Sequence, residues 1–330
     1  MRFALTEEQR GFAEVLDDLL AASNTPQVVR SWAHGDHDAG LKLWQRLTEL
    51  GVSGLLAPEE QGGLDADAVD LTVAFEALGR HAVPGPWVES AALLPALLRG
   101  TDQDEFLAGI ASGGNLATAL VTDMGSHALD ADVATHRFVL HGTTLYGGVA
   151  GAVHRSVDPA RRLCPVEAGA EVVDLAEATT VRAVDTAVLA CSAQLLGAGE
   201  HLLRAAVDHA RSRKQFGRAI GEYQALKHAL ADIRVALDFA RPLVHVAALA
   251  LREGSSDARR DVSAAKVAAG DAAYTAARTA LQVHGAIGYT EEYDLGLWIT
   301  KVRALVTAWG TPALHRARVH EAITRRPVEV

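Results

Sequence analysis

Close to half of this chain is written in one pattern. Over Asp185 to Arg213, Glu222 to Leu251 and Asp261 to His284, apolar residues recur every three or four positions, so each run buries one face of a long helix. Three such helices, joined by short turns and followed by a shorter terminal one, predict an antiparallel four-helix bundle over residues 185–330. The rest of the chain has to be organised around that bundle. Residues 1–112 also read as helices. Thr6 and Gln9 form a capping box, and Phe12, Val15, Leu16, Leu19 and Leu20 follow at the spacing of one buried face. Gly51 closes LWQRLTELG, Gly79 closes AVDLTVAFEALGR with Val69, Val73 and Leu78 inward, and Pro84 and Pro86 enforce an extended turn before another helix. Between these zones, residues 113–184 carry the short β-prone runs ATALVTD and HRFVLHGTTLYGG. A span of roughly seventy residues is too short for a complete barrel with a deep pocket, so a reduced β domain is expected. The expected fold is mainly α, in three domains.

Composition narrows the partners. A formal charge of −10 excludes duplex nucleic acid, although basic residues gather at Arg211 to Arg218 and Arg316 to Arg326, where a single phosphorylated ligand can be met. No apolar run approaches a membrane span, MRFALTEEQR lacks the order of a signal peptide, and Cys164 and Cys191 stand alone. A reducing cytoplasm is the expected location, away from membranes.

Two stretches carry residue types suited to a dinucleotide. In RSRKQFGRAIGEYQ, residues 211–224, Arg213 offers a fork of donors, Phe216 a flat apolar face, and Gln224 an amide at the start of a helix; Gly217 and Gly221 permit a sharp reversal. In ALQVHGAIGYTEEY, residues 280–293, Gly285 and Gly288 let backbone N–H groups approach a phosphate, and Gln282 adds an amide. Alone, the first stretch reads better as a basic helix hairpin with a buried Phe, and the second equally well as a helix C-cap. His284 reads as a satisfied polar residue, since no second ligand stands at metal-binding spacing.

Taken together, the two stretches resemble the acyl-CoA dehydrogenase family. Arg213, Gln215, Phe216, Gly217 and Gln224 follow its R-x-x-F-G pattern with a downstream Q, and Gln282, Gly285, Gly288 and Tyr289 follow its Q-x-x-G-x-x-G-[YF] segment. LTEEQR, WQRLTELGVSGLLAPEEQGG and FEALGR resemble the family's opening helices, so the likeness covers most of the chain. The resemblance implies an FAD enzyme that removes two hydrogens from Cα and Cβ of an acyl-CoA, with a carboxylate base for the α-proton and a separate electron-transfer acceptor. It implies also that FAD lies across a subunit interface, its adenosine and pyrophosphate gripped by the neighbouring bundle. Carried over, that grip comprises Arg213, Gln215, Phe216, Tyr223, Gln224, Gln282, Gly285 and Gly288.

The base is missing. Many members have E-G-T where this chain has Trp309-Gly310-Thr311, and indole accepts no proton; Thr311 is retained as a candidate flavin contact. The alternative base position of some relatives falls near Ala187, two residues from Asp185, which reads better as a helix N-cap than as a displaced base. The middle zone keeps only Thr122, Gly125 and Ser126 of the family's flavin loop and has no tryptophan. This selective loss resembles the short, base-lacking subunits of actinobacterial heteromeric (α2β2) acyl-CoA dehydrogenases acting on steroid side-chain CoA thioesters. A longer catalytic subunit is then the expected partner. The alternatives are a self-sufficient homomeric dehydrogenase using a displaced carboxylate such as Asp185, and a non-redox acyl-CoA binding or scaffold protein.

Overall fold

The computed structural model describes residues 4–290 and 293–324, apart from the side chain of Tyr289. The helical N-terminal part comprises α1 (Glu7–Ala21), α2 (Thr25–Ala33), α3 (Asp38–Glu49), α4 (Ala68–Arg80), a π-helical turn Val88–Leu93 running into α5 (Leu94–Leu98), and α6 (Asp104–Ala111). The capping box is present: Gln9 N donates to Thr6 Oγ1 at 3.2 Å and Thr6 N to Gln9 Oε1 at 3.1 Å. Leu16 and Leu20 are fully buried, but Val15 is 49% exposed; a helix offers the core a stripe of limited width, and Val15 lies off its edge.

The middle strands are β1 (Ala117–Val121), β2 (Ala128–Leu129), β3 (His136–His141), β4 (Thr144–Ala150), β5 (Leu163–Cys164) and β6 (Val166–Asp174). They form an open four-stranded sheet in the order β1-β3-β4-β6 and a two-stranded β2-β5 pair. β1 runs parallel to β3, and the other pairs are antiparallel.

The C-terminal part consists of α7 (Glu177–Ser212), a hairpin of β7 (Lys214–Gln215) and β8 (Arg218–Ala219), α8 (Gln224–Glu253), α9 (Ala258–His284), α10 (Leu295–Leu305) and α11 (Pro312–Thr324). α7 starts at Glu177, earlier than the Asp185 expected from sequence. Asp185 therefore lies inside the helix, and the N-cap reading of it is wrong. The β-branched run Thr179–Val181 masks this first stretch; Glu177 in the opening turn complements the helix dipole there. α7 is also long and apolar enough to cross a membrane, contrary to the composition reading, and 83% of its apolar window is buried inside the protein.

Glycine explains how α7 lies so deep. Gly79 of α4 is not a terminator, since the helix continues to Arg80; a Cβ there would collide with Gln194 O, and one on Gly197 of α7 with Glu76 O. The two backbones touch at this crossing, where neither helix has room for a methyl group. Around it, Arg241 joins Glu76 at 2.7 Å and Glu200 at 2.8 Å, Arg234 joins Glu200 at 2.7 Å, and Arg80 joins Glu76 at 2.8 Å and also Asp17. These shared carboxylates link the N-terminal helices to the bundle as a network, which counts for more than isolated surface pairs.

Candidate functional site

One end of the bundle gathers the two motif stretches. α7 runs towards it, α8 starts there, and α9 returns to it. His209 in the last turn of α7 and His284 at the end of α9 meet with ring centroids 4.2 Å apart. Burial lowers the pKa of His209, helped by its histidine neighbour. His284 Nδ1 pairs with Ala280 O at 2.7 Å and Nε2 with Tyr293 Oη at 3.2 Å, so this histidine is satisfied internally, and no metal-binding cluster occurs among the described residues.

The β7–β8 hairpin projects from this end. Lys214 pairs with Ala219 and Gln215 with Arg218, leaving a two-residue turn whose members, Phe216 and Gly217, have φ +52° and +82°. Two positive φ values in succession mark the hairpin turn that matches strand twist, and Gly is easy there; Phe is not. Phe216 is moreover 92% exposed, so the sequence reading of it as a buried residue in a plain helix hairpin is overturned. A phenyl ring held in a strained conformation and presented to solvent is a candidate contact surface. Arg213, Gln215 and Gln224 beside it are exposed as well. Tyr223 is more committed: its ring lies under the Arg218 guanidinium at 4.0 Å, and its hydroxyl donates to Gln215 O at 3.4 Å. α8 begins at Gln224 with no side-chain cap, leaving its first backbone N–H groups open.

On α9, Gln282 and Gly285 line an open groove of ≈ 480 Å³ with Tyr274 and Arg278. Gly285 has φ +64° and ψ −140°, which lies outside the left-handed helical region expected for a simple C-cap and is open almost only to glycine. Nothing crowds its Cα. Gly288 differs: it is buried, and a Cβ would press on Leu281 at 3.1 Å and His284 at 3.2 Å, so its smallness serves packing of the turn on α9. The side chain of Tyr289, Glu291 and Glu292, and the distal basic residues Arg325 and Arg326, lie outside the described residues.

The second place is the loop after α10. Lys266 of α9 donates to Leu305 O at 2.7 Å and Val306 O at 3.2 Å, tying down the end of α10. The chain then turns through Trp309 at φ +59° and Gly310 at φ +102°. His315 Nε2 donates to Trp309 O at 3.0 Å while its Nδ1 faces Ser263 Oγ at 3.2 Å, and burial pushes its pKa down to about 4, so the ring is neutral. A Cβ on Gly310 would meet His315 Nε2 at 2.6 Å. Thr311 uses its hydroxyl oxygen to accept from Leu314 N at 3.2 Å, capping α11.

Trp309 is 8% exposed and forms one wall of a cleft of ≈ 280 Å³ between the β sheet and α10. Gly125 and Ser126, the retained loop residues, line the same cleft, while Thr122 bonds to Leu140 O. Asp185 is elsewhere, in a neighbouring cavity of ≈ 100 Å³ that shares Val121 and Met124 with the cleft and holds Arg259 and Arg318. Burial pushes the Asp185 carboxyl up to about 6 against the pull of those two guanidinium groups. Ala187 is fully buried.

The sequence reading missed Glu89. It lines the Trp309 cleft from the π-helical turn, is 4% exposed, and its Oε2 has no hydrogen-bond partner among the described residues. Its one sequence signal was a lone acid inside the apolar run WVESAALLPALL.

The family profiles of the acyl-CoA dehydrogenase N-terminal and C-terminal domains match residues 6–114 and 180–324. Acyl-CoA dehydrogenase IpdE2 of Mycobacterium tuberculosis is 30% identical over 327 residues, 97% of this chain and 99% of that protein. The Tcur3481–Tcur3483 steroid ACAD superposes with a TM-score of 0.86 at 21% identity, over 96% of this chain and 98% of its own. PigA with FAD and proline superposes with a TM-score of 0.87 at 16% identity, covering 99% of this chain and all of its own.

Proposed function

Because the chain belongs to the acyl-CoA dehydrogenase family, we propose that it is the subunit without a catalytic base in a heteromeric, FAD-dependent acyl-CoA dehydrogenase. In this reading it grips the adenosine and pyrophosphate of an FAD whose reactive ring and proton acceptor belong to a longer catalytic subunit. A neighbour named for two proteins together and as a steroid ACAD supports both the partner and a steroid side-chain CoA thioester as the substrate class.

The observation that carries the reading is Trp309, an indole nearly buried where the family's carboxylate stands. Nothing at that position can take an α-proton. At the bundle end the residues do fit the nucleotide part of FAD. Arg213 supplies a guanidinium for the pyrophosphate, Phe216 a bare aromatic face for adenine, the uncapped start of α8 at Gln224 free N–H groups, and the Gln282–Gly285 groove an open surface. Bound FAD would supply the oxidant that accepts hydride from Cβ; this chain's own residues bind and orient its tail. Midway along α8, an apolar strip with Val235 and Phe239 51% and 73% exposed provides contact area for a second chain.

The test is co-expression with a longer homologue that retains the Glu of E-G-T. A yellow, active complex is expected, and a flavin-poor, inactive protein when this chain is purified alone. Stoichiometric FAD and turnover in the lone protein would overturn the proposal.

One observation favours a second reading, the self-sufficient dehydrogenase. The raised Asp185 carboxyl, at about 6, is poised for base chemistry. Its cavity is small and separate from the Trp309 cleft. Under this reading Asp185→Asn abolishes activity of the lone protein; retained activity eliminates it.

A further inference from the structure

The Trp309 cleft contains a charge with no ion-pair partner among the described residues. Arg161 lines it beside Glu89, half-buried, and its guanidinium forms neither an ion pair nor a hydrogen bond with any described residue. Arginine cannot shed its proton, so its charge must be met by water or by a counter-ion. Asp158, buried three residues before Arg161, accepts from Ala160 N and makes no ion pair with the guanidinium, and two further acids are poor counter-ions. Burial raises the Glu89 carboxyl to about 7 despite Arg161, and raises Asp130, 0% exposed, to about 7 as well. Asp130 is in addition engaged by the indole N–H of Trp32 at 3.1 Å. Lys266 and Lys301, also within the field of Arg161, are both pushed down by burial and are satisfied by backbone carbonyls. The rest of the wall is mixed, with Val121, Leu129 and Leu163 as well as Ser126, His127 and Thr307. Small-molecule sites combine apolar walls with a few convergent polar groups, and this one lies just under their usual volume of about 300 to 1,000 Å³.

We propose that this cleft is a binding site for a compact organic carboxylate, which pairs with the Arg161 guanidinium and accepts a hydrogen bond from the Glu89 carboxyl while its hydrocarbon part packs against Trp309. The ligand completes two groups at once. It gives Arg161 an anion, and it gives the unpartnered Oε2 of Glu89 an acceptor if that oxygen carries the proton. A carboxylate is preferred over a neutral amide or ester because only the anion offsets the guanidinium. The carboxylate belongs either to a free acid or to the far end of an acyl-CoA, and both present the same chemistry to the cleft. The inference is independent of the flavin reading, since neither Arg161 nor Glu89 lies at the bundle end.

The experiment titrates the full-length protein, with any partner it retains, by calorimetry and by Trp fluorescence. The probes are cyclohexanecarboxylate, cyclohexanecarboxamide, and the CoA monothioester of cyclohexane-1,4-dicarboxylate. The acid is expected to bind at least about tenfold tighter than the amide, and Arg161→Gln to erase that preference. Glu89→Gln, which keeps a donor, should hold affinity within about threefold. Val157→Trp, at the exposed rim, should block binding without disturbing the core, which covers the case in which the Arg161 variant fails to fold. A thioester bound tighter than the free acid assigns the carboxylate to an acyl-CoA, and one bound equally or more weakly assigns it to a free acid. Equal binding of acid and amide, binding of neither at millimolar concentration, or a preference that survives Arg161→Gln in a folded protein overturns the proposal.

Discussion

The bundle end and the Trp309 cleft are opposite solutions to the placement of an aromatic residue. Phe216 and Trp309 both sit at positive φ beside a glycine, at +52° and +59°. Phe216 is 92% exposed at a hairpin tip, whereas Trp309 is 8% exposed, with its carbonyl held by His315. The first costs stability and leaves its ring in solvent, as the proposed contact with FAD requires. The second fills space in the fold and walls the cleft. Strain marks a candidate contact where it coincides with exposure.

Substitutions can break or sharpen this contrast. The largest effect is expected for Trp309→Ala, which removes a nearly buried indole and should destabilise the protein by about 3 kcal/mol while leaving FAD content of the folded complex unchanged. Denaturant melts and flavin absorbance of the same sample check both halves, and loss of flavin would put Trp309 in the cofactor site. Arg213→Ala should act in reverse, with stability unchanged and FAD retention weakened by about 1 to 3 kcal/mol. Unaltered flavin in the complex contradicts the role assigned to Arg213.

A pH effect comes next. His315 and His201 are held at about 4 and about 3 by burial, against an unfolded value of 6.5. Above 6.5 both states are neutral and no difference arises. Below it the unfolded chain takes up protons that these folded rings refuse, so their share of the stability falls as pH drops from 6.5 towards 4, while the raised Glu89, Asp130 and Asp185 carboxyls act in the opposite sense. Thermal melts should therefore show His315→Gln gaining in Tm relative to the unsubstituted protein as pH falls through that window; a constant difference would show that this ring titrates freely. The smallest effect is Phe216→Gly. Relief of positive φ should raise stability by up to about 1 kcal/mol while FAD retention falls. Unchanged stability together with unchanged flavin would remove Phe216 from the contact surface.

The parts of the fold legible in the sequence were those governed by local pattern. Thr6 and Gln9 announced their capping box, and the 3.6-residue periodicity located α8 and α9 to within a few residues. The start of α7 was hidden because Thr179–Val181 favour strand locally, a preference the surrounding fold overrides. Gly79 looked like a stop signal because its reason, contact with Gln194 O, lies in a helix far along the chain. The motif residues at the bundle end could be picked by type and spacing. The exposure of Phe216 could not, since an aromatic residue near a helix end usually turns inward. Glu89 and Arg161 were illegible for a related reason. They come from the N-terminal and β regions, and only tertiary packing brings them to one cleft.

The central claim is a division of labour in which this chain holds the nucleotide tail of FAD and another chain holds its ring. FAD carrying a photoreactive 8-azidoadenine, bound to the co-expressed complex and irradiated, tests it directly. Peptide mapping is predicted to find the label on this chain, within residues 213–224 or 282–288. Label confined to the partner subunit would contradict the account.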